Sequence, residues 1–273
     1  MSTDANLPDD PPAKSGIYQI EPEAQPPELP GQVILKRDDE ELHHALGSDL
    51  MLHALNCVRT FGSFHLALSG GSTPIPFYCR LMVDPLFRPF PWTKTHLWLV
   101  DERRVPFDDE LSNYKHIHEC LVEHSGIPQA QVHPIPVMDV QPDVTYEDEL
   151  EQTLGWRERG HDRLDFVLLG MGGDGHTASL FPHSPALDEQ KKLIALNSGP
   201  TVTPPERVTM TYRLINAARF VAVLVTGEGK RKTIARIEKA SEPTTDLPIL
   251  GVKPSQGSLH WYLDHAACPN QPA

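Results

Sequence analysis

Four short apolar runs, 64–68, 96–100, 164–169 and 220–225, each stop at a polar or glycine-rich turn. Runs of that length, separated by segments of helical periodicity, predict buried strands alternating with helices. That alternation builds an α/β fold with a mainly parallel sheet flanked by helices, Rossmann-like in layout. From Glu40 to Arg59, Leu42, Ala45, Leu46, Leu50, Leu52, Leu55 and Val58 recur near helical spacing, and Asp38 or Asp39 can cap that helix. Residues 31–35 read as a first strand, an acidic helix is expected over 146–159, and a helix over 228–240 follows Thr226-Gly227. Trp261-Tyr262-Leu263-Asp264 reads as a final strand with a polar end. In parallel sheets ligands sit beyond the carboxyl ends of the strands. The turns at Ser69–Thr73, Asp101–Arg103, Asp174–His176 and Thr226–Lys230 therefore belong on one edge.

Domain limits follow from composition. Residues 1–31 hold seven of the 27 prolines and no periodic apolar pattern. Such a segment buries too little surface to offset its ordering entropy, so a flexible acidic tail is expected there. One α/β domain is expected over 32–268, with a short tail over 269–273. The formal charge of −13 argues against a nucleic-acid partner, whose phosphates need a basic face. It leaves room for a small anionic ligand held by a few local cations. No apolar run is long enough to span a membrane, and the first ten residues are polar and acidic, unlike a secretory signal. Cys57, Cys79, Cys120 and Cys268 form no C-x-x-C pair. Scattered thiols suit a reducing compartment, so a cytoplasmic location is expected.

The turns differ in what they can do. Ser69-Gly70-Gly71-Ser72-Thr73 lets backbone N–H groups approach a ligand, and a helix starting near Pro74 points its positive end there. It lacks the Walker A and G-x-G-x-x-G spacings, so by itself it fits a tight turn as well as an anion site. In the run 170–182, GMGGDGHTASLFP, Asp174 and His176 are the titratable side chains of a glycine frame. An imidazole titrating near neutrality suits proton abstraction from water, and Asp174 can orient it; this reading is preferred over a loop-bonding histidine. Asp101-Glu102-Arg103-Arg104 is either a ligand site or a salt-bridged corner. Arg207 opens an alternating strand over 207–211 and can clamp a phosphate or solvate an edge, and Lys230 alone reads as a surface lysine. His116 with His118, and His43 with His44, lack a third ligand, and no G-x-S-x-G elbow exists. Neither a metal nor a serine nucleophile is expected.

Together, LALSGGSTP (66–74), VDERRVP (100–106), Ser112-Asn113-Tyr114, residues 164–182, 207–211, 214–230 and the terminal WYLD resemble the 6-phosphogluconolactonase family. The resemblance runs in family order over about residues 33–268. It implies the fold of glucosamine-6-phosphate deaminases and ribose-5-phosphate isomerase A. It implies His176 as general base on the lactone carbonyl, supported by Asp174, with no cofactor. It further implies a phosphate clamp of Ser69, Gly70, Gly71, Ser72, Thr73, Arg207 and Lys230, and a sugar or oxyanion contact from Asp101, Arg103 and Asn113. The expected ligand is a small anionic sugar phosphate, bound by a monomer or small homo-oligomer without nucleic acid or membrane. One departure stands out: His183-Ser184 follows Phe181-Pro182 where the family pattern has a glycine. Two rivals remain. A glucosamine-6-phosphate deaminase would continue past D-G-H to a glutamate that this chain lacks, and a non-catalytic sugar-phosphate sensor would not need the Asp174–His176 pair.

Overall fold

The computed structural model describes residues 25–155, 157, 162–239 and 241–269. The expected tail lies outside the described residues for positions 1–24, as does the end of the chain from residue 270. Residues 25–31 do not behave as a tail. Pro27 is buried, Leu29 packs on the core, and the Trp261 indole donates to Pro30 O at 2.7 Å.

In chain order the strands are β1 (Gln32–Lys36), β2 (Phe64–Leu68), β3 (Thr95–Leu99), β4 (Asp101–Arg103), β5 (Val132–His133), β6 (Phe166–Leu169), β7 (Ile194–Ser198), β8 (Glu206–Met210), β9 (Phe220–Val225) and β10 (Ser258–Asp264). The helices are α1 (Asp39–Phe61), α2 (Ile75–Val83), α3 (Asn113–Ile117), α4 (Glu123–Ser125), α5 (Pro142–Leu154), α6 (Tyr212–Ile215) and α7 (Arg231–Lys239). A π-turn over His118–Val122 joins α3 to α4.

Seven strands form one parallel sheet in the order β1-β10-β9-β6-β2-β3-β5. Its central strands are fully buried, with every residue of β2, β6 and β9 inside. That explains their unbroken apolar runs, since a strand covered on both faces has no polar side to alternate. From β2 the chain proceeds outward to β3 and β5; from β6 it proceeds the opposite way to β9 and β10. The crevice between β2 and β6 is thus the switch point where such sheets receive ligands.

Helix α1 starts where Asp38 accepts from Glu41 N at 3.0 Å, and ends at Gly62, whose φ of 82° places it in the left-handed region. Leu42, Leu46, Leu50 and Ala54 are its buried stripe, whereas Leu52 and Leu55 face outward. Helix α5 lies earlier than its acidic pattern suggests, because Pro142 suits a first turn and Gly155 follows its last.

A second, antiparallel sheet of β4, β8 and β7 was not legible as a unit. Asp101-Glu102-Arg103, taken from the sequence as a strand-end turn, is itself a strand pairing with β8: Arg103 lies opposite Arg207 and Asp101 opposite Thr209. Val100 N donates to Leu68 O and Met210 N donates to Val100 O, which fastens the small sheet to the rim of the large one.

Candidate functional site

The carboxyl ends of β2, β3, β6 and β9, four adjacent strands, open into a cavity of ≈ 410 Å³. Its walls include Ser69, Gly70, Gly71, Ser72, Thr73, Asp101, Arg103, Asn113, His176, Arg207 and Lys230. Every sequence-derived site residue except Asp174 therefore lines one space, and Asp174 stands directly behind His176.

The dyad is built by its loop. Gly172 N donates to His176 O at 2.8 Å and Thr177 Oγ1 donates to Gly170 O at 2.8 Å, closing the turn after β6. His176 Nδ1 and Asp174 Oδ1 are 2.6 Å apart, and His176 N donates to the same oxygen at 3.1 Å. Burial pushes the Asp174 carboxyl up, but the hydrogen bonds and charge of His176 outweigh it and hold the carboxyl at about 2. An ionised Asp174 accepts from Nδ1–H, which leaves Nε2 as the proton acceptor. Gly172 is required by close approach: a Cβ there would lie 2.2 Å from His176 Nδ1. The imidazole also rests against Phe181, with centroids 5.1 Å apart.

Three cations border the space. Arg103 Nη1 donates to Leu111 O at 2.5 Å, Arg207 Nη1 donates to Glu206 O at 3.1 Å and to Pro204 O, and Lys230 Nζ donates to Met171 O at 2.6 Å. Each is held by carbonyls, and among the described residues none forms an ion pair with a carboxylate. Burial lowers the Arg207 pKa, the adjacent charge of Arg103 lowers it further, and Asp101 and Glu102 oppose both. Burial likewise lowers Lys230, against the nearby Asp174. Like charges placed side by side without a counter-ion are poised for an anion.

Asp101 Oδ2 accepts from Ser179 Oγ at 2.5 Å, and Asn113 Nδ2 donates to Asp101 O at 2.9 Å. Asn113 packs so tightly on the glycine loop that a Cβ at Gly70 would lie 1.9 Å from its Oδ1. Tyr78, on the first turns of α2, donates to Ser69 O at 2.7 Å and fixes the start of the loop. Sequence reading missed Ser179 and Glu102, the second because its charge pointed to a surface corner. The alternation Asp101/Glu102/Arg103 was the available signal: in a strand the middle residue turns away from the other two. The positions of His183 and Ser184 explain the departure noted in the sequence. His183 adopts φ 59°, a left-handed conformation that glycine takes without strain. No group of three or more His, Cys, Asp and Glu that could hold a metal occurs among the described residues.

The chain matches the family model described as "Glucosamine-6-phosphate isomerases/6-phosphogluconolactonase" over residues 37–261. It is 42% identical over 232 residues to the human "GDH/6PGL endoplasmic bifunctional protein", covering 84% of this chain and 29% of that one. The chain thus spans under a third of that relative's length. It is 38% identical over 223 residues to the 6-phosphogluconolactonase of Nostoc, covering 80% of this chain and 90% of the relative. The solved 6-phosphogluconolactonase of Trypanosoma cruzi superposes with a TM-score of 0.76 at 29% identity, over 89% of this chain and 97% of the other. With the glycine loop, the Asp174–His176 pair and the unpaired cations on one sheet edge, the chain belongs to the glucosamine-6-phosphate isomerase/6-phosphogluconolactonase family.

Proposed function

We propose that this protein hydrolyses 6-phospho-D-glucono-1,5-lactone to 6-phospho-D-gluconate, the second step of the oxidative pentose phosphate pathway. The observation that carries the reading is a carboxylate-oriented imidazole opening onto a cavity whose three cations have no acidic partners among the described residues. Its relatives bearing the 6-phosphogluconolactonase name support it. His176 Nε2 takes a proton from water as the water oxygen attacks C1, and the carbonyl π electrons move onto oxygen. Collapse of that oxyanion breaks the bond from C1 to the ring oxygen, and His176 returns the proton to the departing alkoxide. Asp174 holds the imidazole and stabilises its protonated form. Arg207, Lys230 and the Ser69–Thr73 loop anchor the phosphate, while Asp101, Arg103 and Asn113 meet the sugar and the developing charge. Protein groups suffice for each step of this route.

The decisive assay follows acid release from freshly made lactone, corrected for spontaneous hydrolysis. His176→Ala is expected to lower kcat by about 10²–10⁴ with 6-phosphogluconate binding retained. Arg207→Ala and Lys230→Ala are expected to act chiefly on KM. Normal turnover by His176→Ala would overturn the base assignment. The deaminase reading is disfavoured because Thr177–Pro182 supplies no glutamate; ammonia release from glucosamine 6-phosphate would revive it. No described helix is long and apolar enough to cross a membrane. Unpatterned cysteines favour a reducing compartment such as the cytoplasm, and cell fractionation tests that location.

A further inference from the structure

Glu102 is the one member of the Asp101–Arg103 strand that the cavity does not touch. The pleat of β4 sends Asp101 and Arg103 toward the cavity and Glu102 to the opposite face, where it has no exposed surface. Four donors fill its two oxygens. Oε1 accepts from Arg103 N at 2.8 Å and Asn113 N at 2.7 Å; Oε2 accepts from Tyr114 N at 2.7 Å and Ser112 Oγ at 3.1 Å. A carboxylate taken fully out of water is costly unless its lone pairs are met, and here they are met by three backbone N–H groups and a hydroxyl rather than by a cation.

We propose that Glu102 is a positioning residue for this site, clasping β4 to the start of α3 and so fixing Arg103 opposite Arg207. Three segments depend on the clasp. Arg103 is held through its own N–H and lies opposite Arg207 across the strand pair. Asn113 is held through its N–H, while its side chain reaches back to Asp101 O. The glycine loop leans on that side chain at Gly70. The inference deepens the proposed lactonase reading and takes its ligand from it.

E102Q keeps the size of the side chain but replaces one acceptor oxygen with an NH₂ group that faces N–H or O–H donors. Calorimetry of 6-phosphogluconate binding is expected to show at least a tenfold weaker Kd, on the order of the loss of one charge-assisted hydrogen bond. KM for the lactone rises in parallel, and the acidic limb of the kcat–pH profile stays in place because Glu102 does not touch the dyad. A merely structural residue would give losses that add to those of Arg103→Ala. A residue acting in part through Arg103 gives less-than-additive losses, so E102Q costs less in the Arg103→Ala background than in the wild type. E102D, which keeps the charge but is too short to reach all four donors, is expected to fall between. Wild-type Kd and KM in E102Q, or additive losses in the two backgrounds, would overturn the proposal. If E102Q does not fold, E102D and Ser112→Ala enter the same cycle under the same criterion. If the wild-type protein neither binds 6-phosphogluconate nor turns over the lactone, the lactonase reading fails, and the cycle run with inorganic phosphate still decides the role of Glu102.

Discussion

Gly172→Ala isolates the dyad from the rest of the site. A methyl group there would lie 2.2 Å from His176 Nδ1, 2.3 Å from its Cε1 and 2.6 Å from Asp174 Oδ1. Ordinary contact needs 3.4 Å or more, so the imidazole must retreat by about 1 Å. A displacement of that size costs on the order of 10²-fold in rate, and complete loss of a general base costs about 10²–10⁴. The expected fall in kcat is thus about 10², equivalent to about 2.7 kcal/mol of barrier. Affinity for 6-phosphogluconate stays within a few-fold, because Arg207, Lys230 and the loop after β2 are untouched. Gly173→Ala is the matched control: no heavy atom lies within 4 Å of its added Cβ, and neither glycine has a positive φ. The assay is steady-state hydrolysis of fresh lactone beside calorimetric binding of the product, with both variants checked for folding by thermal melting. Turnover of Gly172→Ala within threefold of wild type refutes the oriented-imidazole mechanism. Equal damage from Gly173→Ala refutes the specific contact, since the loop would then be intolerant of any side chain.

Two further predictions concern stability. Burial holds the imidazole of His65 at about 2 and of His96 at about 4, with the charge of Arg157 contributing to both, whereas the unfolded chain protonates near 6.5. The unfolded state therefore binds more protons, and stability is lost as pH falls below 6.5, down to about 4 for His96 and about 2 for His65. At pH 5 the loss is about 2 kcal/mol for each group; urea titrations at pH 7 and pH 5 measure it, and an unchanged slope in His65→Asn would contradict the assignment. Elsewhere, His183→Gly relieves a left-handed conformation worth about 1–2 kcal/mol, against about 0.5–1 kcal/mol of added chain entropy. The urea midpoint is expected to rise by the equivalent of at most about 1.5 kcal/mol, and a fall would mean that the exposed His183–Asp246 pair at 3.4 Å matters more than its screening allows.

The parallel sheet was legible because burial on both faces writes itself as an uninterrupted apolar run. Phe64–Leu68 and Phe220–Val225 begin and end in the structure where the sequence places them. The small sheet was legible only in part: residues 207–211 read as an alternating strand, but β4 is three residues long and charged at each. Asp101-Glu102-Arg103 carries three charges in succession, a pattern that reads as surface until β8 is seen opposite it. The N-terminal boundary failed for a related reason: Pro27 and Leu29 are held by tertiary contacts that local composition does not report. The family resemblance brought Arg207 and Lys230 to the cavity, where residue-by-residue reading left each with a bland alternative.

The electrostatics of the site become intelligible when set against the whole chain. With 37 acidic residues to 24 basic ones, an exposed cation has no shortage of partners: Arg37 takes Glu41, Lys115 takes Glu110 and Arg236 takes Glu242. Arg103, Arg207 and Lys230 instead spend their donors on carbonyls, which position a cation without neutralising it. Arg103 and Arg207 stand opposite each other across β4 and β8, an arrangement of like charges that is mildly destabilising. Glu102 and Asp101 oppose the effect of Arg103 on the Arg207 guanidinium from within the fold, and the proposed phosphate would oppose it further. The Glu102 carboxylate is occupied by three backbone N–H groups and a hydroxyl, so it can brace β4 against α3 while both arginines keep their remaining donors for the cavity.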